Sequence, residues 1–167
     1  MPTGFRDYTK LIQSVTWNVL RLAVITETFM NVSAGAQSGA FQNIYDDDPG
    51  SYYMRKVSGT YSGNVTDFYY LTFQLPKTYK FVNITSRIGY YNEDYSGIDV
   101  YAAIDVSTDG STWTTLTSKY FTSSQPEQLW LVSYGSFIAK YIRVRIYSHD
   151  HKGVSRYKIY EITPNIT

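Results

Sequence analysis

Val100-Tyr101-Ala102-Ala103-Ile104-Asp105-Val106-Ser107-Thr108-Asp109-Gly110-Ser111-Thr112-Trp113 decides the class of fold. Val100, Ala102, Ile104 and Val106 alternate with Tyr101, Ala103 and Asp105, the period of a strand with one buried face. Asp109-Gly110 then marks a hairpin whose two turn residues are expected at positive φ, and the return strand carries Trp113. Similar runs lie on both sides. Leu71, Phe73 and Leu75 alternate with Tyr70, Thr72 and Gln74, and Pro76 is expected to end that strand. Val82, Ile84 and Ile88 follow the same rule, and Leu129 to Val132 reads as a short strand. Ile142, Val144 and Ile146 face inward, with Tyr141, Arg143, Arg145 and Tyr147 outward. Ile159 and Glu161 lie in a closing strand before Pro164. Long helical periodicity is absent here, and Gly, Asn, Asp and Ser fill the breaks. The pattern predicts an all-β, antiparallel sandwich or barrel.

The N-terminal part reads two ways. Val15, Trp17 and Val19 alternate as in a strand, and Leu20, Leu22 and Val24 continue out of phase, as across a bulge. Leu11, Val15, Val19 and Leu22 also fit one face of a helix. The strand reading, from about Trp17 to Phe29, is preferred. Residues 1–22 are thus expected to form an arm or extra strand, and residues 23–167 the domain. Phe5, Tyr8, Leu11 and Ile12 are too apolar for a free tail, so the arm is expected to pack on a neighbouring subunit.

The chain has 167 residues, with 18 Tyr among its aromatics and a net charge of +1. Its length suits one domain with its own core. Near-neutrality leaves no global field steering it to nucleic acid or a membrane. The Cys count of 0 excludes disulfides, thiol nucleophiles and cysteine-based zinc sites. The start, Met1-Pro2-Thr3-Gly4-Phe5-Arg6-Asp7, lacks a basic stretch followed by an apolar block, so no secretory leader is expected there. Leu11 to Ile25 is interrupted by Gln13, Asn18 and Arg21 and is too short to span a bilayer. Phage and virus structural proteins reach the outside without a leader, so that class stays open.

Four pieces of the chain carry a family resemblance. Asn43-Ile44-Tyr45-Asp46-Asp47-Asp48-Pro49-Gly50-Ser51-Tyr52-Tyr53 resembles the discoidin-family entry motif, Asn-Ala-Phe-Asp-Gly-Asp-Pro-Ser-Thr-Arg-Trp. Ile104 to Trp113 is similar to that family's hairpin, Ala139-Lys140-Tyr141-Ile142-Arg143-Val144 to its next strand, and Tyr157-Lys158-Ile159-Tyr160-Glu161-Ile162 to its closing strand. The pieces occur in family order over roughly residues 25 to 163. Asp47 departs from the family's Gly, and Tyr52-Tyr53 replace Arg-Trp. The resemblance implies a jelly-roll sandwich of the galactose-binding-like type that binds carbohydrate.

It also implies sites. The family's ion loop maps onto Asp46, Asp48 and Ser51, with Glu161 from the closing strand, and so implies a structural calcium held by oxygen ligands. Without an ion the same residues make an acidic turn. Ligand loops at one end of the sandwich map onto Tyr91, Asn92, Asp94 and Tyr95 and onto His149, His151 and Lys152, with Tyr52 and Tyr53 placed beside them. Rings that stack on a sugar and polar groups that bond its hydroxyls suit this mixture, although polar loops hold tyrosines for packing too.

Other chemistry is weakly marked. His149 and His151 form half a transition-metal site with no third ligand in view. A nucleophile elbow, a phosphate loop and a His-Glu-x-x-His helix are all missing, so no enzyme activity is expected. Lys140, Arg143, Arg145, Lys152, Arg156 and Lys158 cluster late in the chain, where a solvated sheet face is the plain reading and binding of an anionic glycan or nucleic acid the sharper one. Asn31, Asn64, Asn83 and Asn165 begin sequons, which favours their exposure. Two functions follow. The first is a glycan-binding module attaching a larger assembly to a cell surface or polysaccharide. The second is a virion or phage structural component, from capsid decoration or tail, whose arm contacts its neighbours. Either places the chain outside the cell or on a virion surface, without nucleic acid as a partner.

Overall fold

The structure, a computed structural model, describes residues 18–46, 48, 50–59, 67–92, 100–121, 125–148 and 153–167. It opens on a 3-10 turn, Val19–Leu22, capped by Asn18. The Asn18 Oδ1 accepts from the Leu20 amide at 3.0 Å, and its Nδ2 donates to the Ile162 carbonyl at 2.7 Å. This side-chain acceptor makes a turn where the alternation predicted a strand. Val19 and Leu20 are fully buried, so the sandwich begins before residue 23.

Among the described residues eight antiparallel strands follow. They are β1 (Val24–Met30), β2 (Val32–Ser38), β3 (Tyr53–Gly59), β4 (Asp67–Asn92), β5 (Val100–Ser107), β6 (Thr114–Phe121), β7 (Gln125–Ser148) and β8 (Gly153–Ile166). They pair in the order β2-β3-β8-β4-β7-β5-β6, and β1 lies on β4. Two strands are long enough to serve both layers. The first part of β4 pairs with β1, ending at Gln74 opposite Val24, and its second part pairs with β8, starting at Phe81 opposite Ile166. Along its other edge β4 keeps β7 throughout, with the register broken between Gln74 and Tyr79 and again between Phe81 and Asn83.

Pro76 therefore does not end a strand, as its ring first indicates. It occupies the corner, where its missing N–H removes no ladder bond. On β7 the same corner holds Gly135 at φ 117, a conformation that L side chains rarely adopt. Pro164 likewise lies within β8, opposite Ile84. One layer is thus β1, the first part of β4, the second part of β7, β5 and β6. The other is β2, β3, β8 and the remaining parts of β4 and β7.

The alternation read from sequence holds where pairing is regular. Val100, Ala102, Ile104, Ile142, Val144 and Ile146 are fully buried. Val82, beside the corner, is exposed instead. The β5–β6 hairpin also differs from expectation. Gly110 has φ 79 while Asp109 stays at negative φ, so the turn is not a two-residue primed turn. Asp109 organises a wider loop, accepting from the Ser111 and Thr112 amides at 2.8 Å each. Those amides and the Ser107 hydroxyl hold its carboxyl well below the usual range.

Two carboxylates tie the sandwich. Between the layers, Glu27 Oε1 accepts from the Tyr53 hydroxyl at 2.5 Å and the Tyr69 hydroxyl at 2.8 Å, and Oε2 accepts from Arg55 Nη2 at 2.6 Å. Burial, and then the bond to Glu27, pushes the Tyr53 phenol up, and burial with the Glu27 charge does the same for Tyr69. On the outer face of the first layer, Asp105 is buried beneath Arg143 and Arg145. Its Oδ2 accepts from Arg143 Nε at 3.1 Å, Arg143 Nη2 at 2.8 Å and Arg145 Nε at 2.9 Å, and Oδ1 accepts from Thr115 at 2.8 Å. Burial alone would raise this carboxyl, but the bonds from Arg145, Thr115 and Arg143 outweigh it and hold the group below its ordinary value.

Glu27→Ala leaves one cation and two buried phenols without their acceptor, and should cost about 3 kcal/mol in urea unfolding. A loss below about 1 kcal/mol would show that the layers do not depend on this contact. Asp105 supplies stability that is present above the unfolded carboxylate pKa, about 3.9, and is lost as pH falls through its lower folded value. The urea midpoint should therefore drop below about pH 4, and Asp105→Asn should remove part of that drop. Equal acid sensitivity of the two proteins would contradict the assignment.

Candidate functional site

Register alone locates the loops. Asp67 pairs with Ser148, Asn92 with Ser155, Val100 with Phe121 and Ser148, and Gly59 with Gly153. Tyr90 pairs with Gln125, Met30 with Phe68, and Val32 with Gly59. The connections 60–66, 93–99, 122–124 and 149–152 thus leave from strand ends gathered at one end of the sandwich. The turn at Asn31, φ 62, lies there too. The backbones of Tyr91 and Asn92 occupy the last rungs of β4, opposite Arg156 and Ser155. Asp94, Tyr95, His149, His151 and Lys152, with the side chains of Tyr91 and Asn92, lie outside the described residues.

Tyr52 and Tyr53 are not beside those loops. They begin β3, where Tyr53 pairs with Ile159, whereas the loop end is reached at Gly59. The length of β3 separates them, about 20 Å at 3.3 Å per residue. Chain direction is the reason: residues 45–52 enter the strand and residues 60–66 leave it. Tyr53 is moreover fully buried, its hydroxyl committed to Glu27 and its ring 4.6 Å from Phe41. It is a core residue with no surface for a ligand. Tyr52 is half-buried, its ring 5.4 Å from Tyr160 and 4.8 Å from Lys158 Nζ.

The acidic turn stands at this second end. Ser51 Oγ lies 2.9 Å from both Asp46 carboxylate oxygens, 3.1 Å from the Asn43 carbonyl and 3.2 Å from the Asp48 carbonyl. The Asp48 amide donates to Asp46 Oδ1 at 3.0 Å, and the Gly50 amide to Asp48 Oδ1 at 2.8 Å. Four oxygens thus surround a hydroxyl that has one proton to give, a donor set of the hard kind a calcium ion takes. Glu161 is not joined to it. Among the described residues no three His, Asp or Glu side chains gather as a metal site, and Glu161 accepts instead from Thr163 Oγ1 at 2.8 Å. Nearby, Arg21, Gln42, Tyr45 and Asp46 line an open pocket of about 390 Å³. The sequence carries no signal for that pocket, because its walls come from the turn Val19–Leu22 and from a second 3-10 turn, Phe41–Ile44, with the two residues that follow it.

A third feature is the outer face of the layer holding β5. Tyr101 pairs across the strands with Tyr120 on β6 and Tyr147 on β7. The centroid separations are 4.8 Å and 4.9 Å, the second pair stacked at 10°. This row is one rung from the loop end, since Val100 pairs with Phe121 and Ser148. Behind it Arg145 lies 4.8 Å from the Tyr147 ring, and Arg143 lies between Tyr70 at 4.5 Å and Trp113 at 3.9 Å. The i, i+2 spacing of Tyr141, Arg143, Arg145 and Tyr147 showed half of this face in the sequence. The partners Tyr101 and Tyr120 needed the register. The expected exposure of sequons also meets an exception, because Asn165 Nδ2 donates to Asn83 Oδ1 at 2.5 Å between neighbouring strands.

No protein-family model and no curated protein matches the chain. Among solved structures it is similar to a family 32 carbohydrate-binding module from Clostridium perfringens. The identity is 15% over 90% of this chain and 100% of that one, with a TM-score of 0.52. It is also similar to part of a Ruminococcus gnavus fucosidase solved in complex with fucose, at 18% identity and a TM-score of 0.52. That match covers 92% of this chain and 27% of the fucosidase. Among the described residues no helix is long and apolar enough to cross a membrane. Taken with the strand order, these likenesses establish the discoidin-type, galactose-binding-like β-sandwich that the four motifs implied.

Proposed function

We propose that this chain is a non-catalytic glycan-binding module, acting outside the cell, whose ligand site is the loop end carrying residues 93–99 and 149–152. One observation carries the reading. The strand register brings the roots of both loops to one end, beside the row Tyr147–Tyr101–Tyr120. Tyr95, Asp94, His149 and His151 supply rings and hydrogen-bonding groups of the kind that read a sugar's C–H face and its hydroxyls. The fold shared with a carbohydrate-binding module adds support. Binding is expected on the order of 0.1–1 mM, roughly 4–5 kcal/mol. A glycan array should identify the sugar, and Tyr95→Ala should abolish binding to it with the melting temperature nearly unchanged. Failure of the wild type to bind any glycan at millimolar concentration, with a multimeric mass by light scattering, would move the reading to a virion subunit.

We further infer that the Asp46–Ser51 turn takes a structural calcium, held by Asp46, Ser51 and the carbonyls of Asn43 and Asp48. The four oxygens around Ser51 Oγ support this. Calcium should then raise the melting temperature by mass action. Identical calorimetric transitions in calcium and in chelator would end the idea.

A further inference from the structure

We propose that the outer face of the β1–β4–β7–β5–β6 layer extends the glycan site and selects an acidic polysaccharide chain over a neutral one. The inference rests on the glycan reading of the loop end and names its ligand class. Successive rows cross this face in register: Tyr147, Tyr101 and Tyr120 at the loop end, then Tyr70, Arg145, Ala103 and Ser118, then Thr72, Arg143, Asp105 and Thr115. Rows two residues apart stand about 6–7 Å from one another, so the face runs far enough from the loop tips to meet several sugar rings.

Charge decides what it meets. Two arginines share one carboxylate, so the cluster keeps one positive charge over. Each guanidinium gives its Nε and Nη2 to Asp105, and neither Nη1 has a partner among the described residues. The two arginine side chains keep 17% and 20% of their surface open to solvent. Asp105 below and the rings of Tyr70, Trp113 and Tyr147 at the sides hold both groups in place. A carboxylate arriving from solvent therefore meets donors already ordered, with little side-chain entropy left to lose.

Tyr120, 42% exposed on the edge strand, continues the polar-aromatic surface toward the loops. A nucleic acid fits less well, because a single uncompensated charge releases few counterions. Packing of the rings around the arginines stabilises the layer whether or not a ligand binds. The test must therefore read binding and stability apart.

The probes are an oligogalacturonate and its fully methyl-esterified counterpart, titrated calorimetrically into the full chain. The acid should bind about tenfold more tightly at low salt, and the preference should shrink in about 0.5 M salt. Arg145→Gln should remove the preference and leave ester binding as it was. Tyr120→Ala, at an exposed edge, should weaken the acid more than the ester. Should Arg145→Gln fail to fold, Arg145→Lys keeps the charge without the planar fork and should retain only part of the preference. Equal affinities for acid and ester, or a preference untouched by every variant, would overturn the proposal, as would displacement of the acid by an equal concentration of oligothymidylate. Ester binding does not depend on the charge of this face, so loss of both ligands would count against the glycan reading, and loss of the difference alone against this face.

Discussion

A strand that serves two sheets must surrender hydrogen bonds where it passes from one to the other, and this sandwich concentrates that cost at one corner. Over residues 74–81, β4 exchanges β1 for β8 while β7 stays at its side. The residues there fit the requirement. Pro76 has no N–H to leave unpaired, and Gly135 takes a φ of 117 on the partner strand. Because both layers are continuous through the same two strands, their relative register is fixed covalently. The loop roots at the far ends of those strands are fixed with it.

Between the layers the decisive contact is polar. Glu27 sits opposite two tyrosines and an arginine contributed by β4 and β3. An apolar contact would hold the layers together at many small offsets, whereas three directed bonds to one carboxylate accept few. The same logic recurs outside, where Asp105 orders two arginines and two rings flank one of them. Both carboxylates fix the frame from whose end the loops emerge.

Much of the frame was legible in the sequence because it is local. Period-two alternation placed β5 and the second part of β7, and the ordered motifs implied the sandwich. What escaped depended on long-range pairing. Pro76 and Pro164 read as strand ends, since nothing near them in sequence reveals that a neighbour changes or an edge is free. Tyr52 and Tyr53 read as companions of the ligand loops because composition is blind to which end of a strand a loop enters. Glu27 drew no notice, as one acid among β-formers looks like a solvent-facing residue until its partners on β3 and β4 are known. The Tyr101–Tyr120–Tyr147 row was half visible in the spacing on β7 and completed by register alone.

The central claim is that ligand meets the end of the sandwich from which residues 60–66, 93–99, 122–124 and 149–152 emerge. Amide chemical-shift mapping during titration with a bound oligosaccharide tests it most directly. The account predicts the largest shifts at Gly59, Asn92, Val100, Phe121, Ser148 and Gly153, with Tyr52 and Tyr160 unmoved. Shifts confined to Asp46, Ser51, Tyr52 and Tyr160, with the loop end silent, would contradict it.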